Sequence, residues 1–356
     1  MNLAALKKFL RSVVMPLMAS CLFLSQNANA TKVCSDALGG GEKVTAGFTQ
    51  KIKIMVYNLN NIFIKEAAIE RGDDVRALLK NSDATFKPDR DLAWERRIIK
   101  QQDPDIFIGT EMHLIEDAHS FMNADRELKD KYWAFLKVGN DVRGINIVTY
   151  VKKSLNFSVK LTSHKDMKWI DPVTHAEYPL FSRDLPVLTL TRPGETKPAL
   201  IVIGNHAKSK RDSRSDPESN RYRTAQYEAI KKIVEDLKKL HSEVMPIIMG
   251  GDFNTDVIKG PEVLPIQNIL VSVFDSIKDH AIGLNERVTH FFFDRFGNRQ
   301  GHQLDDIRVS GKVNVLKAKV VHYEDETGHT MANPATYDAR AKQPSDHLPV
   351  VAEIEI

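Results

Sequence analysis

Acidic and amide side chains follow an apolar segment at residues 245–256, where Asp252 and Asn254 come directly after two glycines. An apolar run of this length that ends at glycine is typical of a buried strand. Ligands of α/β sheets collect at the carboxyl ends of such strands. Two residues apart in extended chain, Asp252 and Asn254 point the same way and offer oxygens that suit a hard cation. The motif alone is equally consistent with an ordinary strand-end turn.

The same order of an apolar segment and then polar side chains occurs elsewhere in the chain. Asn58 and Asn60 follow 54–57, Glu111 follows 105–110, Asn205, His206, Lys208 and Ser209 follow 200–204, Asp305 lies within 303–307, and Ser345, Asp346 and His347 precede 348–356. Each cluster taken singly is consistent with ordinary polar residues at strand ends. Their repetition predicts that several strand ends contribute to one site.

Hydrophobic periodicity predicts the elements that position these residues. Helix-like spacing of apolar residues predicts helices over 91–102 and 220–240. Strands are predicted at 52–57, 105–109, 145–151, 155–161, 185–191, 199–205, 288–293, 304–309, 315–321 and 347–355. Residues 61–90 and 163–182 lack clear periodicity and are expected to be loops, whereas the three phenylalanines at 291–293 are expected to form a core strand. Many strands and few helices predict an α/β layered sandwich.

The first 30 residues have the layout of a secretory signal peptide. A basic start precedes an apolar centre that is too short to span a bilayer, and small residues at 28–30 form a cleavage site. We therefore expect a signal peptide at 1–30, a flexible glycine-containing lead-in at 31–50 and one domain at 51–356. Cys34 is then the only remaining cysteine, so an internal disulfide is excluded for the processed chain. A secreted or periplasmic protein without a stable membrane anchor is expected.

The charge of the processed chain excludes a strong overall basic field. The sequence has 50 Lys and Arg and 47 Asp and Glu, and three of the basic residues, but no acidic ones, lie in the predicted leader. The processed chain is therefore formally neutral. Any surface that binds phosphate groups must be local.

The ordered motifs resemble those of the endonuclease/exonuclease/phosphatase superfamily, which includes deoxyribonucleases, neutral sphingomyelinases and inositol-phosphate phosphatases. The resemblance runs from about residue 51 to residue 356 and is carried by Asn58, Glu111, His206, the segment 251–254, Asp305 and the segment 345–347. Residues 205–210 look most like secreted bacterial members, many of them nucleases. The resemblance implies a four-layer α/β/β/α sandwich with two packed mixed β-sheets.

The resemblance also implies a role for each matched residue. Glu111 is expected to hold a divalent cation, with Asn58 and Asp346 nearby as direct or water-mediated ligands. Oxygen ligands of this kind suit Mg²⁺ or Mn²⁺, with Ca²⁺ as an alternative, and do not select zinc. Asp252 is expected to position or deprotonate the attacking water, and Asn254 to orient that water or the phosphate.

Two histidines complete the implied machinery. Asp305 is expected to pair with His347, fixing its tautomer and raising its pKa so that it faces phosphate as a cation. His206 is expected to be the second imidazole on the phosphate. Whether Asp252 or the His347–Asp305 pair is the general base stays open at this point.

Further residues are expected to contact the substrate. Lys208 and Ser209 stand beside His206, and Arg143 and Asn146 lie in a strand-start motif that resembles one in the bacterial members. Lys210, Arg211 and Arg214 extend a local basic cluster, which nearby acidic residues dilute.

These observations predict a metal-dependent nuclease that hydrolyses DNA, with RNA as a further substrate, and acts as a monomer. The alternatives are a phospholipid phosphodiesterase of the sphingomyelinase type, a phosphatase, and an inactive secreted binding module. An exposed aromatic hairpin would favour the lipid substrate, and Trp169, Tyr178 and Phe181 are the candidates for it. Endonuclease versus exonuclease action and the number of metals stay open.

Overall fold

A computed structural model of the chain describes residues 50–74, 85–210, 215–277 and 281–356. The predicted signal peptide, Cys34 and all of the predicted lead-in except its last residue lie outside the described residues, as do Arg211 and Arg214. Secondary-structure elements are numbered along the described chain.

Six strands form the first sheet, which is mixed. In spatial order they are β15 (Asn314–Val320), β16 (Val350–Glu355), β1 (Lys51–Ile62), β2 (Ile106–Met112), β4 (Asn146–Lys152) and β3 (Tyr132–Leu136). β1 and β2 run parallel, and the other neighbours are antiparallel. The strands with near-continuous apolar sequence, β1 and β2, lie in the middle, as expected for strands that are covered on both faces.

The second sheet is also mixed and has the same number of strands. In spatial order they are β11 (Val271–Ser272), β14 (Asp305–Ser310), β10 (Ile247–Asp252), β9 (Leu200–His206), β8 (Val187–Thr191) and β5 (Ser158–Thr162). β9 and β10 form the parallel pair, and the remaining pairs are antiparallel. Each sheet thus has one central pair of parallel strands whose carboxyl ends lie side by side.

Helices and small hairpins complete the described chain. The helices are α1 (Lys65–Arg71), α2 (Asp89–Gln102), α3 (Ile115–Asn123), α4 (Asn220–His241) and the short α5 (Leu264–Gln267), α6 (Val273–Ser276) and α7 (Tyr337–Arg340). Single 3₁₀ turns occur at Lys153–Leu155, Pro217–Ser219, Pro261–Val263 and Leu284–Arg287. Two hairpins lie outside the large sheets: β6 (Lys168–Ile170) with β7 (Glu177–Pro179), and β12 (His290–Phe293) with β13 (Arg299–His302). Within the described residues, no helix combines the length and apolar character needed to cross a bilayer.

Alternation of side chains along β10 divides the core into two layers. Ile248 packs in the large cluster that contains both sheets, whereas Ile247 and Met249 pack with Tyr227 and Ile230 of α4 on the outer face. Helices α2 and α3 pack their buried apolar residues against the first sheet. The result is an α/β/β/α order of layers, which confirms the predicted fold class.

Glycines bring the two sheets into close contact near the parallel strand ends. A Cβ atom at Gly250 would lie 2.5 Å from Val56 Cγ1, and one at Gly204 would lie 2.7 Å from Ile147 Cγ2. Side chains at these positions would push the sheets apart. Gly251 has a φ of 136°, and a Cβ there would lie 2.0 Å from the carbonyl oxygen of Asn205. The glycines before Asp252 therefore let the ends of the two sheets converge.

Three expectations about irregular and core segments are corrected. Residues 61–90 contain the helix α1, and 163–182 contain the β6–β7 hairpin, because short elements give too little periodicity to detect. Phe181 is buried, and the rings of Trp169 and Tyr178 pack against Tyr222 of α4. The three phenylalanines at 291–293 form a strand, as predicted, but the strand lies in the hairpin β12–β13 and is only partly in the core. Phe291 is buried in the core, whereas Phe292 is 50% exposed.

Candidate active site

The four carboxyl ends of the two parallel strand pairs meet at one edge of the sandwich. β1 delivers Asn58, β2 delivers Glu111, β9 delivers His206 and β10 delivers Asp252. Asp252 lies beside His206 in the parallel register and beside Asp305 in the antiparallel register. Asn58 Nδ2 donates a 3.0 Å hydrogen bond to Asp252 Oδ2 and thereby joins the two sheets.

Asp252 is a buried carboxylate that is fully engaged by hydrogen-bond donors. The main-chain nitrogen of Asn254 lies 2.7 Å from Oδ1, and Asn254 Nδ2 lies 3.2 Å from Oδ2. Asn254 has a φ of 51°, which turns the chain back toward the carboxylate. Burial raises the pKa of Asp252 to about 7, against the opposing effect of the charge on His347. A carboxylate with this pKa can accept a proton near neutral pH.

The predicted contact between Asp305 and His347 is present. His347 Nδ1 lies 2.7 Å from Asp305 Oδ2, and Asp305 is fully buried. Burial lowers the pKa of His347, but the charges of Asp305 and Asp252 outweigh it and hold the pKa well above its ordinary value. His347 is therefore a cation, with Nε2 4.0 Å from Asp252 Oδ2.

Ser345 fixes the loop that carries His347 to the end of β1. Its hydroxyl donates to the carbonyl oxygen of Asn58 at 2.7 Å and accepts from the main-chain nitrogen of His347 at 3.1 Å. Tyr323 donates to the carbonyl oxygen of His347 and lies 2.8 Å from the hydroxyl of Tyr57. These contacts give His347 a defined position relative to the first sheet.

His206 is buried in surroundings that oppose a positive charge. Burial, and then the charges of Arg183 and Arg143, hold the pKa of His206 well below its ordinary value. Its Nε2 lies 3.6 Å from Asp252 Oδ2 and 3.9 Å from Glu111 Oε1. The neutral imidazole faces the same space as the cationic His347, but it offers only a neutral ring nitrogen.

Glu111 differs from Asp252 and Asp305 because its carboxylate is left open. Its side chain is 18% exposed, and within the described residues it accepts no hydrogen bond. Its φ of 63° is in the left-handed region, which is unfavourable for a residue with a Cβ and is typical of functional sites. Burial and the charge of Asp346 raise the pKa of Glu111, whereas Arg143 and Arg183 lower it.

Acidic and histidine groups that could hold a metal ion are present. In the described part of the chain, two sets have ligand atoms within 4.8 Å of one another: His290, Asp346 and His347, and Asp252, Asp305 and His347. His347 Nδ1 is already bonded to Asp305, which leaves only Nε2 of its ring for another partner. The partly exposed carboxylates of Glu111 and Asp346, whose charges act on each other, offer oxygens of the kind that a hard divalent cation prefers.

The buried Arg183 was missed by the sequence reasoning. Its Nε lies 2.9 Å from Asp141 Oδ2, and Nη1 donates to the carbonyl oxygen of Ala207 at 2.8 Å. Its charge acts on Glu111, Asp252 and His206. Arg183 directly follows the segment 163–182. No periodic pattern marks a buried position there.

His290 and Lys87 were also missed. His290 Nε2 lies 3.7 Å from Asp346 Oδ2; burial raises the pKa of Asp346, but this histidine and the charge of His347 together hold it well below its usual range. Lys87 Nζ lies 2.8 Å from Glu95 Oε1 and donates to the carbonyl oxygens of residues 59, 60 and 344. It ties the end of β1 to the loop that carries Asp346.

The four predicted substrate-binding residues have different surroundings. Asn146 Nδ2 donates to the carbonyl oxygens of His113 and Gly144, so both amide hydrogens are used within the fold. These bonds hold the loop before β4, and the role of Asn146 in substrate binding stays a prediction. Arg143 pairs with Asp141 at 3.2 Å, and its charge reaches Glu111 and His206.

Lys208 and Ser209 lie directly after His206 and are partly exposed. The main-chain nitrogen of Lys208 donates to Gln226 Oε1 at 2.9 Å, which fixes this segment against α4. Lys210 lies 3.5 Å from Glu218, so the predicted basic cluster is partly neutralised within the described residues.

Comparison with solved structures identifies the fold. An endonuclease/exonuclease/phosphatase family protein from Bacteroides thetaiotaomicron is 16% identical, covers 86% of this chain and 96% of its own, and has a TM-score of 0.56. The catalytic domain of human Nocturnin with a bound sulfate anion is 14% identical, with coverage of 85% and 94% and a TM-score of 0.54. The mannosyl-6-phosphatase Bt3783 from Bacteroides thetaiotaomicron VPI-5482 is 16% identical, with coverage of 85% and 99% and a TM-score of 0.52.

The sequence comparisons give no match. A scan against models of protein families finds none that fits the chain, and a search of curated proteins finds no related sequence. The structural similarity spans the described sandwich and agrees with the resemblance of the sequence motifs. The chain has the endonuclease/exonuclease/phosphatase fold.

Proposed function

We propose that this protein is a metal-dependent phosphoesterase that hydrolyses the phosphodiester bonds of DNA. The observation that carries the proposal is the convergence, at one edge of the sandwich, of an open carboxylate, a carboxylate with a pKa of about 7 and a cationic imidazole. These are the groups that phosphate-ester hydrolysis needs: charge neutralisation, a proton acceptor and a cation for the phosphate oxygens. A mannosyl-6-phosphatase and a sulfate-bound protein on the same fold support phosphate-ester chemistry.

Asp252 is the proposed general base. Its Oδ2 accepts hydrogen bonds from Asn58 and Asn254, which orient the carboxylate, while burial keeps its pKa near 7. The water oxygen bonds to phosphorus as the bond from phosphorus to the leaving sugar oxygen breaks. The proton of that water passes to Asp252, and the leaving oxygen takes a proton from solvent. The cationic state of His347 argues against its being the base.

His347 and His206 have complementary proposed roles. The His347 imidazolium, oriented by Asp305, stabilises the negative charge that grows on the non-bridging oxygens. His206 donates a hydrogen bond to the phosphate from a neutral ring. Arg143 and Arg183 add positive charge beside His206 and partly offset Glu111, and Arg183 also offsets Asp252.

Glu111 and Asp346 are the residues proposed to hold the cation, with Asn58 nearby as a direct or water-mediated ligand. Their oxygens suit Mg²⁺ or Mn²⁺, and Ca²⁺ is the third candidate. A bound divalent cation would neutralise phosphate charge and orient the ester for in-line attack.

We also propose that the protein is exported and acts as a monomer outside the cytoplasm. The basic, apolar and small-residue order of 1–30 supports export. Fractionation of producing cells, with sequencing of the amino terminus, tests it. A chain that begins at Thr31 in the extracellular or periplasmic fraction is the expected result, and an uncut chain in the cytoplasm would contradict it.

Incubation of the purified protein with plasmid DNA tests the activity. Cleavage is expected with Mg²⁺ or Mn²⁺, and none with excess chelator. Parallel reactions with RNA and with sphingomyelin vesicles separate the alternatives. Intact DNA alongside hydrolysed sphingomyelin would overturn the proposed substrate, and no hydrolysis of any phosphate ester would overturn the proposed chemistry.

A further inference from the structure

The hairpin of β12 and β13 extends from the His347 side of the candidate active site. At its base, His290 and His347 form a β-bridge, and their rings lie 4.8 Å apart. Thr289 accepts hydrogen bonds from the main-chain nitrogens of Leu304 and Asp305 at 3.0 Å, so the base of the hairpin is fixed to β14. The hairpin is therefore held next to the proposed reacting groups.

Phe292 lies on the face of this hairpin that also carries His290. Successive side chains of a strand point to opposite faces, so positions 290 and 292 share a face and Phe291 points away. Phe291 is 6% exposed and packs in the core, whereas Phe292 is 50% exposed. The exposed ring thus lies two residues from a histidine that contacts Asp346.

Arginines and further aromatic rings lie in the turn of this hairpin and in α7, where Arg340 Nη1 donates to the carbonyl oxygen of Phe291 at 2.7 Å. The guanidinium of Arg295 lies 4.7 Å from the ring of Phe296, and that of Arg340 lies 5.0 Å from the ring of Tyr337. Phe296 and Tyr337 are 75% and 60% exposed. The set is called the basic aromatic surface and consists of Phe292, Arg295, Phe296, Tyr337 and Arg340.

We propose that the basic aromatic surface binds a single-stranded polynucleotide next to the scissile phosphate, with Phe292 stacking on a base and the arginines contacting phosphates. The inference rests on the proposed function and names the form of its substrate. Aromatic rings stack on any base, and arginines neutralise the backbone, which is how proteins bind single strands without sequence preference. Because the processed chain is formally neutral, a local cluster of arginines has to supply this attraction.

Charge complementarity favours a polynucleotide over a bilayer. The turn 294–298 contains Asp294, whose carboxylate accepts hydrogen bonds from the side chain and main chain of Asn298, and these bonds hold its pKa below its usual range. An ionised Asp294 and the adjacent Arg295 oppose entry of this tip into hydrocarbon. Arg295 and Arg340 suit a polyanion that stays in water.

Binding of a short oligothymidylate, about 12 nucleotides long, to the full-length protein tests the surface. The comparison ligand is an oligomer of equal length that lacks bases, and chelator is present so that neither is cut. Fluorescence anisotropy should show that Phe292→Ala weakens binding of the base-carrying oligomer about 5-fold to 100-fold. Binding of the base-free oligomer should be unchanged, and Phe292→Tyr should keep the preference for bases.

Trp133→Ala is the matched control. Trp133 is 56% exposed, and Lys153 Nζ lies 4.3 Å from its ring, so it is an exposed ring beside a cation. It pairs with Val151, near the end of β4 that lies away from Asn146 and the site. Trp133→Ala should bind both oligomers as the unmodified protein does.

Arg295→Ala should weaken both oligomers equally and lower the salt dependence of binding. The inference is overturned if Phe292→Ala binds the base-carrying oligomer normally, if it loses both oligomers equally, or if Phe292 is needed only for binding to phosphatidylserine-containing vesicles. Failure of DNA hydrolysis with Phe292-dependent binding intact would overturn the proposed activity and leave the surface. Hydrolysis of DNA without Phe292-dependent binding would overturn the proposed role of the basic aromatic surface and leave the proposed activity.

Discussion

Each sheet contributes the carboxyl ends of its central parallel strands to the candidate active site, but the carboxylates at these ends differ in their hydrogen-bond donors. On the second sheet, Asp252 accepts hydrogen bonds from the amides of Asn58 and Asn254 and from the main chain. On the first sheet, Glu111 accepts none from the described residues, although its surroundings raise its pKa. Both carboxylates end a central parallel strand, so the strand position alone does not set their roles.

The difference indicates that the carboxylate of Asp252 has a fixed orientation, whereas the carboxylate of Glu111 is available to bind a cation. Donors around Asp252 fix its orientation, as a group that positions water requires. Glu111 has no such donors and stays partly exposed, as a ligand for an incoming cation requires. Loss of a group on the Asp252 side should therefore reduce the rate of the chemical step, whereas loss of Glu111 should reduce metal affinity.

Removal of the cationic imidazole gives the largest expected effect. His347→Ala should lower the turnover number for DNA on the order of 10³-fold to 10⁴-fold, because it removes a charged group positioned by Asp305. Neutral His206 should matter less, so His206→Ala should cost on the order of 10²-fold. Steady-state hydrolysis at saturating metal measures both.

His329→Ala is the control for this comparison. His329 is exposed and contacts only turn residues, among them Thr327, in the described chain. Its replacement should leave turnover unchanged. Recovery of the turnover of His347→Ala by added metal would contradict a role for His347 in the chemical step. A larger loss of turnover in His206→Ala than in His347→Ala would contradict the greater importance of the cationic histidine.

Replacement of the open carboxylate should change metal dependence more than turnover. Glu111→Gln keeps the shape and removes the charge, so the Mg²⁺ or Mn²⁺ concentration for half-maximal rate should rise about 10-fold to 100-fold. Titration calorimetry with the metal alone should show the same loss. Glu116→Gln, at an exposed position of α3, should leave both values unchanged. An unaltered metal dependence in Glu111→Gln would remove Glu111 from the cation site.

The sequence could predict the strand-end residues because each stands directly after a run of apolar residues. Parallel neighbours then bring those ends together, which explains why Asn58, Glu111, His206 and Asp252 were all found. The pairing of Asp305 with His347 was accessible only through the family resemblance, since 42 residues separate them.

Residues outside such runs could not be found in this way. Arg183 and Lys87 are buried charges whose partners, Asp141 and Glu95, are specified only by the packed structure. Phe292 was misjudged because successive phenylalanines look like a core strand. In a two-stranded hairpin only one face is covered, so alternation exposes every second ring.

Asn58 contacts Asp252 and is also a candidate metal ligand, and its replacement gives the smallest expected effect. Its Nδ2 donates to Asp252, so Asn58→Ala removes a donor from a buried carboxylate, a bond worth about 1.5–3 kcal/mol. If Asn58 acts mainly through Asp252, turnover at saturating metal should fall about 10-fold to 30-fold, near the lower end of that energy range, and the metal dependence should stay unchanged. If it is mainly a ligand, the metal requirement should rise as in Glu111→Gln. Asn314→Ala, at the exposed start of β15, should change neither value. Because Asn58 Nδ2 donates to Asp252 and Asn58 Oδ1 accepts from the main-chain nitrogen of Asn60, we expect the first result, with Glu111 and Asp346 supplying most of the metal affinity. A shifted metal requirement with normal turnover would instead indicate that Asn58 acts as a metal ligand together with Glu111.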